Sequence, residues 1–65
     1  MSTAFPARLK AARERAGFSL VALAAVVGCN EKTLRNYERG LQSPTIVGLE
    51  ALARALKTTV AELLK

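Results

Sequence analysis

The chain has 65 residues, with ten Lys and Arg against five Glu, and it contains no Asp, no His, no Trp and a single cysteine, Cys29. Without His it can hold neither a His-based catalytic triad nor a Cys/His zinc cluster, and it has no Gly-rich phosphate loop, so we expect no enzyme, no cofactor, no metal and no small-molecule substrate. The net charge of +5 favours nucleic acid as a partner ahead of an anionic membrane surface.

Length and cysteine usage also indicate the number of domains and the cellular compartment. Sixty-five residues predict one domain, 1–65, with a thin stability margin. A lone cysteine cannot form an internal disulfide, and the first ten residues lack the pattern of a signal peptide, so we expect a cytoplasmic, reduced protein. The apolar run from Leu20 to Val27 is too short to cross a bilayer, so we expect no membrane association.

Five helices are predicted in chain order, because apolar side chains recur with helical spacing throughout and no stretch alternates as a strand would. Good N-cap residues precede most of the helices, and glycines follow several of them. The predicted helices run from about Phe5 to Arg15, from after Ser19 to Gly28, from after Asn30 to Gly40, from after Thr45 to near Lys57, and from after Thr59 onward. The fold class is therefore all-α, a five-helix bundle around a single core.

Helical projection predicts which side chains form that core. The first helix and the third helix each place one apolar stripe inward, and the last two helices complete the core. The predicted core residues are Phe5, Leu9, Ala12, Ala16, Leu34, Tyr37, Ile46, Leu49, Leu52, Ala53, Leu56, Val60, Leu63 and Leu64.

Two charged residues fall on these inward faces. Arg13 lies one turn beyond Leu9, and Glu38 lies one turn beyond Leu34. A buried lone charge is costly, and a bidentate Arg–carboxylate pair would satisfy both groups. We therefore predict an Arg13–Glu38 ion pair that fixes the first helix to the third, with extension of each side chain to water as the alternative.

The segment 20–39 is predicted to be two short helices joined by a tight turn at Gly28, where a positive φ would penalise a Cβ. The second of these helices has a polar, mostly basic outer arc. That arc comprises Lys32, Thr33, Arg35, Asn36 and Arg39. Such a pair of helices with one free face fits the DNA major groove, whereas an ordinary solvated helix surface is the alternative explanation.

The chain resembles the DNA-binding domain of phage repressors and Cro-type regulators, a helix-turn-helix family. The resemblance covers nearly the whole chain and depends on RLKAARERAGFS, on Leu23-Ala24, on GCNEKTLRNYERG, on SPT, on LEALARAL and on AELL. It implies a five-helix, lambda-repressor-like fold whose helix 31–39 enters the major groove. It also supports the Arg13–Glu38 pair, because this family often carries Arg and Glu at those positions.

The outer arc and the resemblance together give the candidate DNA contacts. Lys32 and Asn36 project one turn apart, where Lys can reach guanine and Asn can bind adenine bidentately, and the resemblance adds Glu31 as a third base-reading residue. We expect mainly phosphate contacts from Thr33, Arg35, Arg39 and the amides near Ser19.

One departure from the family concerns the helix from Leu20 to Val27. Family members usually place Gln at its first turn, where this chain has Leu20, and the helix has no polar side chain. Val21, Ala22 and Ala25 are predicted to face outward. A helix that is apolar all round is normally buried, so these residues either tolerate solvent or meet a second subunit or another domain.

We therefore expect a transcriptional regulator, repressor-like, that binds double-stranded DNA sequence-specifically. A module this small makes few base contacts, so useful specificity calls for two half-sites and a weak homodimer on DNA. The alternative function is a protein-interaction module, an antitoxin or adaptor that uses the apolar helix 20–27. A designed variant of the fold, suggested by the Ala/Leu/Val-rich composition, is a third interpretation.

Overall fold

The computed structural model describes residues 4–65, and residues 1–3 of the predicted domain lie outside the described part. Within it the chain forms five helices and has the predicted all-α architecture. They are α1 (Phe5–Arg15), α2 (Leu20–Val27), α3 (Glu31–Glu38), α4 (Ile46–Ala55) and α5 (Val60–Leu64).

Side-chain caps start four of these helices, because the first N–H groups of a helix have no partner within it. In each case the side chain of the predicted N-cap residue accepts a hydrogen bond from the backbone N–H three residues later. The pairs are Ser19 Oγ with Ala22 at 3.0 Å, Asn30 Oδ1 with Thr33 at 2.7 Å, Thr45 Oγ1 with Gly48 at 3.1 Å and Thr59 Oγ1 with Glu62 at 3.1 Å. The sequence thus predicts the starts of these helices correctly.

A residue in the left-handed conformation follows each of the first four helices, and the backbone then folds back onto the last turn. At the end of α4 this residue is Lys57 (φ 55°) rather than a glycine, and the N–H of Thr58 bonds the carbonyl of Ala53 at 2.9 Å. α4 therefore ends at Ala55, two residues before the expected position.

The core lies between all five helices and, within residues 4–65, is made of seven leucines, three alanines and one phenylalanine. Its buried residues are Phe5, Leu9, Ala12, Leu23, Ala24, Leu34, Leu49, Leu52, Ala53, Leu56 and Leu63. Tyr37, Val60 and Leu64 are partly buried against it.

The prediction of the core is wrong at two residues. Ala16 is exposed because α1 ends at Arg15 and the helical projection does not hold beyond that end. Ile46 is 73% exposed because it is the first residue of α4, and the buried stripe of that helix begins only at Leu49.

Packing between the helices leaves one side of α3 free. α1 packs on α3 and α5, α2 packs on α3 and α4, and α4 packs on α5. Two neighbours therefore hold α3 from within, and its remaining side faces outward. The described part of the chain measures 24 × 23 × 20 Å.

Candidate nucleic-acid interface

The turn between α2 and α3 sets the angle at which α3 is presented. Gly28 adopts φ 82°, and its N–H bonds the carbonyl of Ala24 at 2.9 Å. A Cβ at this φ would be strained although the space around it is open. Leu23 and Leu34 are fully buried beside the small, buried Ala24, so the two helices approach closely and are locked together.

An ion pair connects α3 to α1 on the side of α3 that faces the body of the domain. Arg13 Nε donates to Glu38 Oε2 at 2.7 Å, and Arg13 Nη2 donates to Glu38 Oε1 at 3.2 Å, with only 11% and 6% of the two side chains exposed. Arg13 Nη1 also donates to the carbonyl of Phe18 at 2.8 Å, a contact that the sequence did not predict. The hydrogen bond to the Glu38 carboxylate raises the pKa of Arg13, although burial opposes it.

One guanidinium therefore connects three segments: α1, the loop before α2, and the end of α3. Its bidentate geometry fixes the orientation of Glu38 as well as its distance. Since Glu38 is the last residue of α3, the pair holds the end of this helix against the body of the domain.

On its outer side α3 carries the predicted arc. Lys32 and Arg39 are exposed, and their side chains have no hydrogen bond or ion pair within residues 4–65. Thr33 is half-buried, and its backbone N–H is held by Asn30. The arc thus offers two unpaired cations and one hydroxyl to an anionic partner.

Two other members of the predicted set are paired with each other. Glu31 and Arg35 lie one turn apart on α3 and form an ion pair, with 41% and 44% of their side chains exposed. The pair neutralises the carboxylate that would otherwise repel phosphate, and it leaves the remaining Arg35 N–H donors available. An exposed pair of this kind contributes little to stability, so its consequence is mainly orientation.

Asn36 also has a partner, one that the sequence does not predict. Its Nδ2 donates to Gln42 Oε1 at 3.5 Å. Gln42 is exposed in the loop between α3 and α4. A glutamine in a polar turn carries no periodic signal, and only the reversal of the chain at Gly40 brings it back to α3.

At the edge of this surface lies the start of α2. Ser19 is exposed, and its Oγ accepts from the Ala22 N–H, which leaves its hydroxyl hydrogen free to donate. On the same helix Val21 and Val26 are 61% and 60% exposed, and Ala25 is exposed with them. Val26 was not among the residues predicted to face outward, so the exposed apolar surface of α2 is larger than expected.

The remaining chemistry of the described residues is sparse. Burial raises the pKa of the Cys29 thiol, which keeps it in the neutral, weakly nucleophilic form. Residues 4–65 contain no group of three or more His, Cys, Asp or Glu side chains placed to hold a metal ion. In the same range no helix has both the length and the apolar character needed to cross a membrane.

Comparison with solved structures identifies relatives of known DNA-binding function. The chain is 35% identical to the N-terminal DNA-binding domain of SinR from Bacillus subtilis (TM-score 0.88, covering 95% of this chain and 91% of that one), and SinR has also been solved in complex with DNA. It is 30% identical to the P22 c2 repressor in complex with a synthetic operator (TM-score 0.89, covering 94% and 92%).

The same fold also occurs as part of an enzyme. Hydroxypropylphosphonic acid epoxidase from S. wedmorenis is 31% identical with a TM-score of 0.90, but the match covers 98% of this chain and only 34% of that one. No curated protein sequence matches the chain. A family profile described as a helix-turn-helix domain matches residues 4–64. With nearly the whole chain matched by that profile, the protein belongs to the helix-turn-helix domain family, whose members here include transcriptional regulators of bacteria and phage.

Proposed function

We propose that this protein is a cytoplasmic, non-enzymatic, repressor-like transcriptional regulator that binds double-stranded DNA sequence-specifically. The observation that carries the proposal is the free outer side of α3 with its unpaired cations Lys32 and Arg39. An α-helix is about 10–12 Å across and the B-DNA major groove is about 12 Å wide, so such a side fits the groove. The domain 1–65 would make this contact through α3.

Base reading falls to the side chains nearest the middle and start of α3. Lys32 reaches guanine O6 or N7, Asn36 pairs with adenine, and Glu31 accepts from cytosine N4. Arg35 already engages Glu31 Oε2, so Glu31 must reach a base with its other carboxylate oxygen or leave the ion pair. We therefore place Glu31 third among the base-reading residues.

Phosphate contacts lie around this centre. Within residues 4–65 Arg39 has no partner to lose, whereas Arg35 must leave Glu31 or bond Glu31 and a phosphate at once. Thr33 and Ser19 can donate hydroxyl hydrogens, and the first amides of α2 offer an N-terminal dipole to a phosphate oxygen. The contacts to phosphate position α3, and the contacts to bases select the site.

The test is a selection of duplexes from a random pool, followed by salt titrations of the selected and a scrambled duplex. We expect a preferred sequence for the wild-type protein and a changed preference at one position for Asn36→Ala. An unchanged preferred sequence would remove Asn36 from the base-reading set. Failure to bind any duplex at low salt would reject the DNA-binding function.

The salt dependence separates phosphate contacts from base contacts. Each phosphate contact contributes about 0.9 to the slope of log K against log salt. We expect Arg39→Ala to flatten the slope by about one unit on every duplex, and Arg35→Ala to flatten it less because Glu31 already competes for that side chain. Arg54→Ala, an exposed cation on α4, is the matched control and should leave the slope nearly unchanged.

On DNA we propose a weak homodimer, because one module of this size reads few base pairs. Selected sequences should then contain two related half-sites separated by about one helical turn. A selected sequence with only one half-site, bound by one protein copy, would reject the dimer without rejecting DNA binding.

A second candidate function is supported by the exposed apolar side of α2. Val21 and Val26 would suit a protein partner, as in an antitoxin or adaptor built on this fold. A protein that shows salt-independent association through α2 and no duplex preference would favour this function over DNA binding.

A further inference from the structure

The loop that follows α3 places one more side chain against the proposed base-reading surface. The N–H of Leu41 bonds the carbonyl of Asn36 at 2.9 Å, and the N–H of Gly40 bonds the carbonyl of Tyr37 at 3.3 Å. Gly40 has φ 74°, so the chain reverses there and returns alongside the last turn of α3. The residue after Leu41, Gln42, therefore emerges beside Asn36 as a consequence of the helix cap.

The start of α1 supports this reversal of the chain. A Cβ built on Gly40 would lie 3.5 Å from Pro6 Cγ, so this turn rests against the start of α1. The following residue with a buried side chain is Pro44, which closes the loop onto the body of the domain. Both ends of the short segment that carries Gln42 are thus fixed.

The contact between the two side chains has a defined polarity. Asn36 Nδ2 donates and Gln42 Oε1 accepts. An amide nitrogen has two hydrogens, so Asn36 keeps one N–H donor and its Oδ1 acceptor. Those are the two groups with which Asn binds N7 and the N6 amino group of adenine. A flipped Asn36 amide would exchange donor and acceptor, and it would keep this contact only if the Gln42 amide turned over with it.

We propose that Gln42 is a positioning residue that sets the base preference of Asn36 by holding the orientation of its amide. The proposal rests on the DNA-binding function proposed above and assigns a specificity determinant outside α3. Gln42 acts through its carbonyl oxygen, and its own amide hydrogens are not needed for the effect.

Two substitutions of Gln42 separate these roles. Gln42→Met keeps the length of the side chain and removes the acceptor, whereas Gln42→Glu keeps an acceptor and removes the amide hydrogens. Gln42→Met should lower the discrimination between the preferred base and its replacements opposite Asn36 by roughly two- to tenfold, the range of one net hydrogen bond. Gln42→Glu should retain that discrimination while binding all duplexes more weakly, because its carboxylate repels phosphate.

The background variant Asn36→Ala provides the decisive comparison. If Gln42 acts through Asn36, Gln42→Met should change base preference in the wild-type protein and have no further effect in Asn36→Ala. An equal effect in both backgrounds would overturn the proposal. Ser43→Ala, at the next exposed residue of the loop, is the control and should behave as wild type in both.

A measurement without DNA keeps the proposal testable if duplex binding itself fails. The two side-chain amide hydrogens of Asn36 should give distinct NMR signals that shift in Gln42→Met and are largely preserved in Gln42→Glu and Ser43→Ala. Signals that do not move in Gln42→Met would overturn the pair. Shifted signals in a protein without duplex preference would instead reject the proposed function and leave the Asn36–Gln42 contact standing.

Discussion

The ion pair between Arg13 and Glu38 gives the most demanding prediction for stability. Both side chains are about nine-tenths buried, and three of the five guanidinium N–H groups donate hydrogen bonds to Glu38 and to the Phe18 carbonyl. Glu38→Ala leaves a buried cation with only the Phe18 carbonyl as partner. Breaking a buried pair in this way costs roughly 3–5 kcal/mol. A domain of this size has a total unfolding free energy of about 3–10 kcal/mol, so the variant should be mostly unfolded or marginal.

The assay is urea denaturation followed by circular dichroism, with the slope of the transition checked for constancy between variants. Glu14→Ala, one residue further along α1 and exposed, is the control. The double variant Arg13→Met with Glu38→Leu replaces the pair by apolar side chains of similar volume. We expect it to recover most of the loss, because well-packed apolar residues often match a buried ion pair. A midpoint for Glu38→Ala equal to that of Glu14→Ala would refute the reasoning.

The remaining predictions concern the helix-turn-helix and the turns. Gly28→Ala should lower the free energy of unfolding by roughly 1–2 kcal/mol, because the φ of 82° at this position is left-handed. Gly48→Ala, inside α4, should raise it by about 0.5–1 kcal/mol. Thermal denaturation that shifts both variants in the same direction would contradict this reasoning. Val21→Lys should leave the melting temperature nearly unchanged, because Val21 is 61% exposed, and it should abolish any self-association through α2. Association that persists in the variant, measured by sedimentation, would place the contact on another surface. Burial raises the pKa of the Cys29 thiol in the folded protein, so this thiol ionises first in the unfolded chain. The free energy of unfolding should therefore fall as the pH rises past the pKa of the unfolded thiol. Cys29→Ala should reduce this loss of stability at alkaline pH, and a pH profile identical to that of the wild type would contradict the burial effect.

Local chemistry explains why the helices could be predicted from the sequence. Ser19, Asn30, Thr45 and Thr59 each accept the expected cap bond, since an N-cap acts within three residues and depends little on the rest of the fold. The Arg13–Glu38 contact was predictable for a different reason. Opposite charges on two inward faces have few ways to avoid an unpaired buried ion, whatever the details of the packing.

Contacts that depend on chain reversal could not be predicted in the same way. The carbonyl of Phe18 meets Arg13, and Gln42 meets Asn36, only because a left-handed residue turns the chain back at the end of a helix. Periodicity predicts the face of a residue within a helix and says nothing about the residues beyond its end. The error at Ile46 also arises at a helix end, because Ile46 is the first residue of α4 and the buried stripe of that helix begins only at Leu49.

The distribution of charge on α3 bears on affinity and specificity in different ways. Glu38 is neutralised by Arg13 and Glu31 by Arg35, so the attraction of this helix for phosphate comes mainly from Lys32 and Arg39. Two unpaired cations give a shallow salt dependence and modest affinity for random duplexes. The internal pairs instead fix side chains before binding, which reduces the ordering cost of a correct contact and penalises an incorrect one. The proposed regulator would thereby gain discrimination more than affinity, and a second copy on an adjacent half-site would be the efficient way to bind tightly.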